Sequence, residues 1–294
     1  MSAVSASAPR RELVASFMRS RIAFMALVLL GIIVLAAVFA PVIAPQNPYD
    51  LAVLDIMDSK LAPGAKSIDG KTFWLGTDDQ GRDILSGILY GLRISLGVGV
   101  ISTVLALSIG LFIGLAAGYA GGWLDALIMR IVDLQLSFPS ILIALVLLAV
   151  LGQGVDKIVI ALVTVQWAYY ARTVRSSAMV EKRKEYVDAA RVLAYTNWRI
   201  LYRHILPNCL PPLIVVATVQ VAHAIALEAT LSFLGLGMPI TSPSLGLLIA
   251  NGYAHLLSGR YWISFFPGVA LLLTIVVINL VGDQLRDVLN PRLH

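Results

Sequence analysis

The sequence of 294 residues holds a single cysteine, Cys209. No intrachain disulfide and no cysteine-based metal cluster can be built on it, and it reads as an inert, small apolar residue. The four histidines, His204, His223, His255 and His294, are scattered, with no HExxH or other metal-ligand spacing. The serines lack a GxSxG setting. No GxxxxGKS or GxxxxGKT stretch occurs, so the chain has no phosphate loop with which to hydrolyse ATP itself. No catalytic set stands out, which argues against an enzyme. Charge is scarce too: Asp, Glu, Lys and Arg make up 13% of the chain, where a soluble domain carries about 25%.

What is present is apolar. Hydrophobic residues make up 59% of the chain and the mean hydropathy is +0.85. They come in runs long enough to cross a bilayer, which takes roughly 20 helical residues. The reading is an all-α polytopic membrane protein with six spans. These are Ile22 to about Ala44, Ile94 to about Tyr119, Ser137 to Leu151, Ile158 to about Val174, Pro211 to about Leu234, and Tyr261 to about Val281. The first is longer than the apolar part of a signal peptide and no A-x-A site follows it, so it reads as an uncleaved anchor. Trp167, Tyr169 and Tyr170 stand where an aromatic belt belongs in the fourth. The organisation is then an N-terminal tail 1–21, a first span 22–44, a loop 45–92, a five-helix core 93–284 and a tail 285–294.

A net charge of +5 and a pI near 9.4 would suggest nucleic acid in a soluble chain. Here the basic residues flank apolar runs, and topology explains them better. With this map 15 of the 22 Lys and Arg, from Arg10 to Arg292, fall on one side. The positive-inside rule places that side, with both termini and residues 182–207, in the cytoplasm. The other face carries 45–92, with Asp78, Asp79 and Asp83. That cluster departs from the EF-hand pattern, because Gly76 stands five before Gly81 where an acid is needed. A capped, hydrogen-bonded loop feeding a helix is the expectation.

Within the spans, Gly110, Gly114 and Gly118 recur four apart, a doubled GxxxG that lets a neighbouring backbone approach closely. Gly121-Gly122 predicts a short turn, and Trp123 to Leu136 an amphipathic lead-in at the interface. His223 and Glu228 are ionisable groups inside a span, which makes them candidates for pathway or gating roles. Five residues separate them, about 500° of helix, so they point different ways and no relay joins them within the helix. The plainer alternative is that each packs against another helix or faces a watery cavity.

The longest charged run is Lys182–Pro207, KRKEYVDAARVLAYTNWRILYRHILP. It predicts two short helices. Tyr186, Ala189, Ala190 and Leu193 share one face of the first. Thr196 and Asn197 supply capping chemistry for the second, which turns Ile200, Leu201 and Ile205 inward and stops at Pro207. Contact with anionic lipid would account for the charge, but not for the small pair Ala189-Ala190 on the helix face, which suits a protein groove.

This run resembles the cytoplasmic "EAA" loop of permease subunits of bacterial ABC importers. Residues 75–96 (LGTDDQGRDILSGILYGLRISL), 228–239 (EATLSFLGLGMP) and 282–293 (GDQLRDVLNPRL) are similar to the C-type permeases of dipeptide, oligopeptide and nickel importers. The resemblance runs from about residue 10 to the end. It implies a type I ABC importer permease fold in a bacterial inner membrane. It also implies a second permease subunit, two cytoplasmic ATPases that hold ATP and Mg, an extracytoplasmic solute-binding protein, and a peptide-like solute. This chain then carries no cofactor or metal of its own. By position, the loop 176–210 is the ATPase-coupling element, with Tyr186, Asp188, Ala189, Ala190, Leu193, Ala194, Asn197, Arg203, His204, Leu206 and Pro207 as its residues. Asp188 replaces the usual Glu. Ala194 replaces a Gly: either alanine adopts a positive φ at a cost on the order of 1 kcal/mol, or the helix extends and Asn197 makes the turn. Asn290 stands before Pro291 where the family often has Asp. Under this reading Ala190→Glu removes ATPase docking and uptake but not insertion. A proton-coupled secondary transporter using Glu228 and His223 is the alternative.

Overall fold

The computed structural model describes residues 16–50, 54–67, 69–239, 241–242 and 244–289. Arg10, Arg11 and the Asn290-Pro291 step lie outside them. Among the described residues the structure is helical, and pairing between extended segments is limited to two isolated bridges, Lys66 with Thr72 and Thr77 with Asp83.

Helix α1 (Arg21–Val38) starts at Ser20, whose hydroxyl accepts from the Ala23 N–H. It buries Ala23, Ala26 and Ala37 and exposes larger apolar side chains such as Ile22 and Met25. Small residues thus face protein and large ones face outward, as close packing in a lipid solvent favours.

Helix α2 (Ile84–Ala120) begins at Ile84 rather than Ile94. The cause is Asp83, which caps it by accepting from the Ser86 N–H at 2.8 Å and the Ser86 hydroxyl at 2.6 Å. Arg93 therefore lies inside the helix and not in the preceding loop. The segment before it is a knot of polar bonds. The Gln46 side chain accepts from the Asp83 N–H at 2.8 Å and the Gln46 N–H donates to Ser86 at 3.0 Å. The Asp78 carboxylate accepts from the N–H groups of Gln80 and Arg82, both at 2.9 Å. The acidic cluster thus makes a turn and a cap, as the sequence suggests.

Gly121 and Gly122 turn the chain with φ of 67° and 59°. Helix α3 (Gly122–Ser137) and helix α4 (Ser140–Leu151) follow, bent by 88° at the break that holds Pro139. The expected straight span Ser137–Leu151 with an interfacial lead-in is thus replaced by a bent pair. Alone, α4 has 12 residues, about 18 Å of helix, against a hydrocarbon core of about 30 Å.

Helix α5 (Val155–Glu181) lies along α2. The three glycines make this possible. A Cβ on Gly110 would stand 2.5 Å from Cβ of Tyr170, one on Gly114 2.5 Å from the Ala171 carbonyl, and one on Gly118 3.0 Å from the Arg175 carbonyl. Ala161, Leu162, Ala168, Tyr170, Ala171 and Val174 of α5 are buried, which makes it the central helix. The short α6 (Glu185–Val192) follows. Helix α7 then runs from Asn197 to Phe233, with a π turn at Leu201–Ile205. Helices α8 (Leu245–Tyr253) and α9 (Trp262–Leu289) complete the chain.

Among the described residues, α1, α2, α7 and α9 are long and apolar enough to cross a membrane, and the bent pair brings the number to five. The sixth expected span, Ile158 to about Val174, falls in α5, which is long enough but not apolar enough to be counted with these. It runs from Gly154, bonded to the Gly237 carbonyl, to Glu181 beside the hairpin. One face of it is covered by protein, and the polar Gln166 is fully buried there, while Ile160 and Val180 are exposed on another.

Candidate functional site

Residues 182–207 form a helical hairpin fixed to one end of the bundle. The inner face of α6 is Val187 and Ala190, 0% and 3% exposed. They join Ile200, Ile205 and Cys209 of α7 and Tyr170, Val174 and Ala178 of α5 in one apolar cluster. The expected face Tyr186, Ala189, Ala190, Leu193 is only half right. Ala189 points outward and Leu193 is 65% exposed. Val187, missed from the sequence, takes their place. The signal was present, since Val187 and Ala190 are three apart, but α6 has apolar residues on two faces and periodicity alone does not say which one the body covers.

The turn after α6 settles the two readings of Ala194. Its φ is +52°. The Tyr195 N–H bonds the Ala190 carbonyl at 3.1 Å and the Ala194 N–H the Arg191 carbonyl at 2.9 Å. This is a Schellman ending with alanine in the place glycine usually takes. Asn197 does not make the turn. It opens α7 after Thr196, whose hydroxyl caps the helix by accepting from the Arg199 N–H, and it accepts from the Tyr119 hydroxyl at 2.6 Å.

Pro207 does not end the second helix, and Pro211-Pro212 do not begin the next span. All three lie within α7. A proline removes an N–H and crowds the turn before it. The π turn absorbs this: the Leu206 N–H reaches back to the Leu201 carbonyl. The Asn208 side chain donates to the His204 carbonyl at 2.7 Å. The hairpin is thereby continuous with a span.

Polar ties hold its base. Glu181 accepts from Lys184 at 2.7 Å and from the Tyr186 hydroxyl. Burial, and then that carboxylate, push the Tyr186 phenol well above its usual pKa. The Lys182 ammonium donates to the Tyr119 carbonyl at the end of α2. Arg199 lies 4.0 Å from the Tyr195 ring centre, and Tyr195 stacks on His204 at 6.0 Å. His204 is thus part of an internal column and Leu206 is half-buried, whereas Arg203 and Pro207 are exposed. Asp188 is exposed and pairs with Arg191 at 2.9 Å. The hairpin also exposes apolar side chains: Ala189, Val192 and Leu193 at α6, and Trp198 and Tyr202 on α7, whose rings stack 5.3 Å apart. Beside the hairpin a cavity of about 1200 Å³ opens between α5, α7 and α9, lined by Arg172, Glu181, Asn208, Gln220, Asp283 and Arg286 among others.

His223 and Glu228 lie far along α7 on different sides. His223 is exposed, whereas Glu228 is fully buried and bonded to serines. The structure does not bring them together.

The sequence model of the family described as "Binding-protein-dependent transport system inner membrane component" matches residues 110–294. The chain belongs to this family. A second model, "N-terminal TM domain of oligopeptide transport permease C", matches residues 9–63 of the permease. The permease is 43% identical to the dipeptide transport system permease protein DppC of Escherichia coli K12, over 97% of this chain and 94% of that one. It is also 43% identical to a putative peptide transport system permease protein of Brucella suis, over 94% and 90% of the two chains. A structure of the MetNI methionine ABC transporter in an inward-facing conformation matches with a TM-score of 0.56 at 20% identity, covering 69% of this chain and 96% of that chain. That likeness shows the fold, the expected type I importer permease. The permease is a multi-pass inner-membrane transport subunit without catalysis of its own, and nothing here favours the proton-coupled alternative.

Proposed function

We propose that this permease is one of two membrane subunits of an importer for di- or oligopeptides, driven by two cytoplasmic ATPases and supplied by a solute-binding protein. One observation carries the coupling assignment. The hairpin 182–207 is locked to the bundle on one face and presents Ala189, Val192, Leu193 and Trp198 on the other. An exposed apolar tip on an otherwise anchored polar element is a surface for a protein partner. Under this reading that end, with both termini, faces the cytoplasm, which the distribution of Lys and Arg supports.

The second arm of the hairpin is the start of α7, and α6 is seated on the same cluster, so a push on the hairpin moves a membrane helix directly. ATP-driven closure of the ATPases therefore reaches the pathway without a flexible joint. The peptide assignment rests on the relatives at 43% identity over nearly their whole length.

The test is reconstitution with two partner ATPases, a second permease and a binding protein. The expected result is binding-protein-dependent ATP hydrolysis stimulated by dipeptides. Stimulation by nickel ion or by a sugar conjugate, with none by peptides, would refute the substrate class. Failure to hold an ATPase would refute the coupling assignment.

A further inference from the structure

The cavity of about 1200 Å³ runs along α5 from Val180, near the hairpin, to Tyr169. That stretch of helix is about 16 Å long, the reach of four or five extended residues. Toward the hairpin it holds charges of both signs, among them Asp283 and Arg286 of α9. Its walls set valines and prolines of α7 against the hydroxyls of Thr173, Ser176 and Ser177 of α5. A largely apolar wall with a few polar groups is the usual make-up of a site for a small organic molecule. No histidine or cysteine is among the described residues that line it, so it suits an organic solute better than a nickel ion.

The inner end has a different character. Gln220 of α7 lines it and is 8% exposed. Its Nε2 has no hydrogen-bond partner among the described residues. Gln166 of α5 is fully buried beside it. The Gln166 Nε2 donates to the Gln220 carbonyl at 3.5 Å, and its Oε1 has no partner among the described residues. Past the two amides the bundle is dry, with Leu162, Val165, Ala224 and Leu227 in one apolar cluster. A buried amide N–H without a partner destabilises a fold. Stability therefore does not account for the Gln220 amide, whereas a partner that comes and goes does.

We propose that this cavity is the inner part of the solute path, and that the Gln220 Nε2 donates to the carbonyl of a passing peptide bond. Nε2 is covered in this structure, and a change of side-chain rotamer turns it into the cavity. Gln166 is a positioning residue that holds the Gln220 backbone. The charges nearer the hairpin meet the ionised ends of a short peptide. Every peptide carries this carbonyl whatever its side chains, so one amide serves many solutes. This rests on the peptide reading above.

The experiment uses the assembled transporter in lipid nanodiscs without nucleotide. Ser176, exposed in the cavity wall, is changed to cysteine as a reporter, since Cys209 is buried. Labelling of the Ser176→Cys thiol by a charged maleimide is followed as alanyl-alanine is added. Saturating dipeptide should slow it about three-fold or more. Gln220→Met has similar volume but no donor. With it, half-protection should need about five-fold more dipeptide, while the melting temperature in detergent does not fall. The trans-alkene isostere of the dipeptide lacks the carbonyl. It should be about five-fold weaker on unaltered Gln220, and Gln220→Met should weaken it no further. A purely structural role would instead lower the melting temperature and weaken both ligands alike, which overturns the proposal. Equal protection by dipeptide and isostere on unaltered Gln220 overturns it too, as does Gln220→Met protected like the unaltered chain. If Gln220→Met does not assemble, the two ligands on unaltered Gln220 decide alone. A transporter that imports peptide but shows no protection overturns the site and leaves the peptide reading standing. One that imports no peptide defeats that reading and the site with it.

Discussion

The two polar ends of the permease are built on opposite plans. In the segment before α2, charged and polar side chains turn inward: Asp78, Arg82 and Asp83 are 1%, 2% and 2% exposed, while Ile56, Met57 and Trp74 are out in the open. Its shape is set by directional bonds among Gln46, Asp78, Asp83 and Ser86. In the hairpin 182–207 most charges point outward, and a small apolar patch, Val187, Ala190, Ile200 and Ile205, holds it down. A directional polar knot specifies one arrangement closely, since each buried polar atom needs its partner. An apolar seat with polar ties at the base fixes position while leaving the outer surface open to a partner.

The largest effect that separates the two plans is expected at the seat of the hairpin. Ala190→Glu places a carboxylate where the structure has 3% exposure and an apolar cluster. It should destabilise the seated hairpin by about 3 kcal/mol or more. It acts by unseating the element, not by spoiling the docking surface, because Ala190 faces the bundle. Limited trypsinolysis at Lys182, Arg183, Lys184 and Arg191 reads this directly: cleavage should accelerate while the membrane core stays intact. Unchanged cleavage would mean that the seat is not what holds the hairpin.

The matching change at the other end is Asp83→Ala. It removes the cap of α2 and the acceptor of the Ser86 hydroxyl, with Gln46 losing support through Ser86. A lost cap costs about 0.5–2 kcal/mol, and the buried hydroxyl left without its acceptor puts this change near the top of that range, at about 2 kcal/mol. Thermal melting in detergent should show it. Asp83→Asn, which keeps an acceptor, should recover most of the loss, as a directional bond requires.

Which parts of this were legible beforehand follows the same division. The Asp83 cap, the Thr196 cap, the Gly110–Gly118 face and the Gly121-Gly122 turn depend on local chemistry, and the sequence reading has them right. The face of α6, the bend at Pro139 and the passage of α7 through three prolines depend on what lies alongside. Leu193 and Ala190 share a helical face by spacing and both are apolar, with Leu193 the more so, and only what packs alongside decides that Ala190 is the one buried. A proline reads as a stop until a π turn relieves it, and nothing local to Pro207 announces that turn. Ala194 was legible as a question and not as an answer. Its positive φ follows once Tyr195 must return to the Ala190 carbonyl.

Ala194→Gly sharpens that point with a smaller effect of opposite sign. Alanine at φ +52° carries a penalty on the order of 1 kcal/mol that glycine does not. The substitution should slow tryptic cleavage of the hairpin about five-fold, without altering transport. Faster cleavage would show that the added freedom of the unseated chain outweighs the relieved strain.

The smallest effect on stability is expected at Leu193, and it is the one that bears most on function. Leu193 is 65% exposed, so Leu193→Glu removes little buried surface and should change stability by no more than about 0.5 kcal/mol. Its side chain stands beside Val192, 87% exposed, on the outward face of α6. If an ATPase covers this surface, the same substitution places a desolvated carboxylate in the contact. Affinity for the ATPase should then fall at least about ten-fold, or 1.4 kcal/mol. Pull-down of ATPase by the purified permease measures the second effect and trypsinolysis the first. Ala190→Glu should disturb both, and Leu193→Glu only the pull-down. A normal pull-down with Leu193→Glu would remove the docking surface from the outer face of α6, and leave the hairpin as a second structural anchor like the knot at the far end.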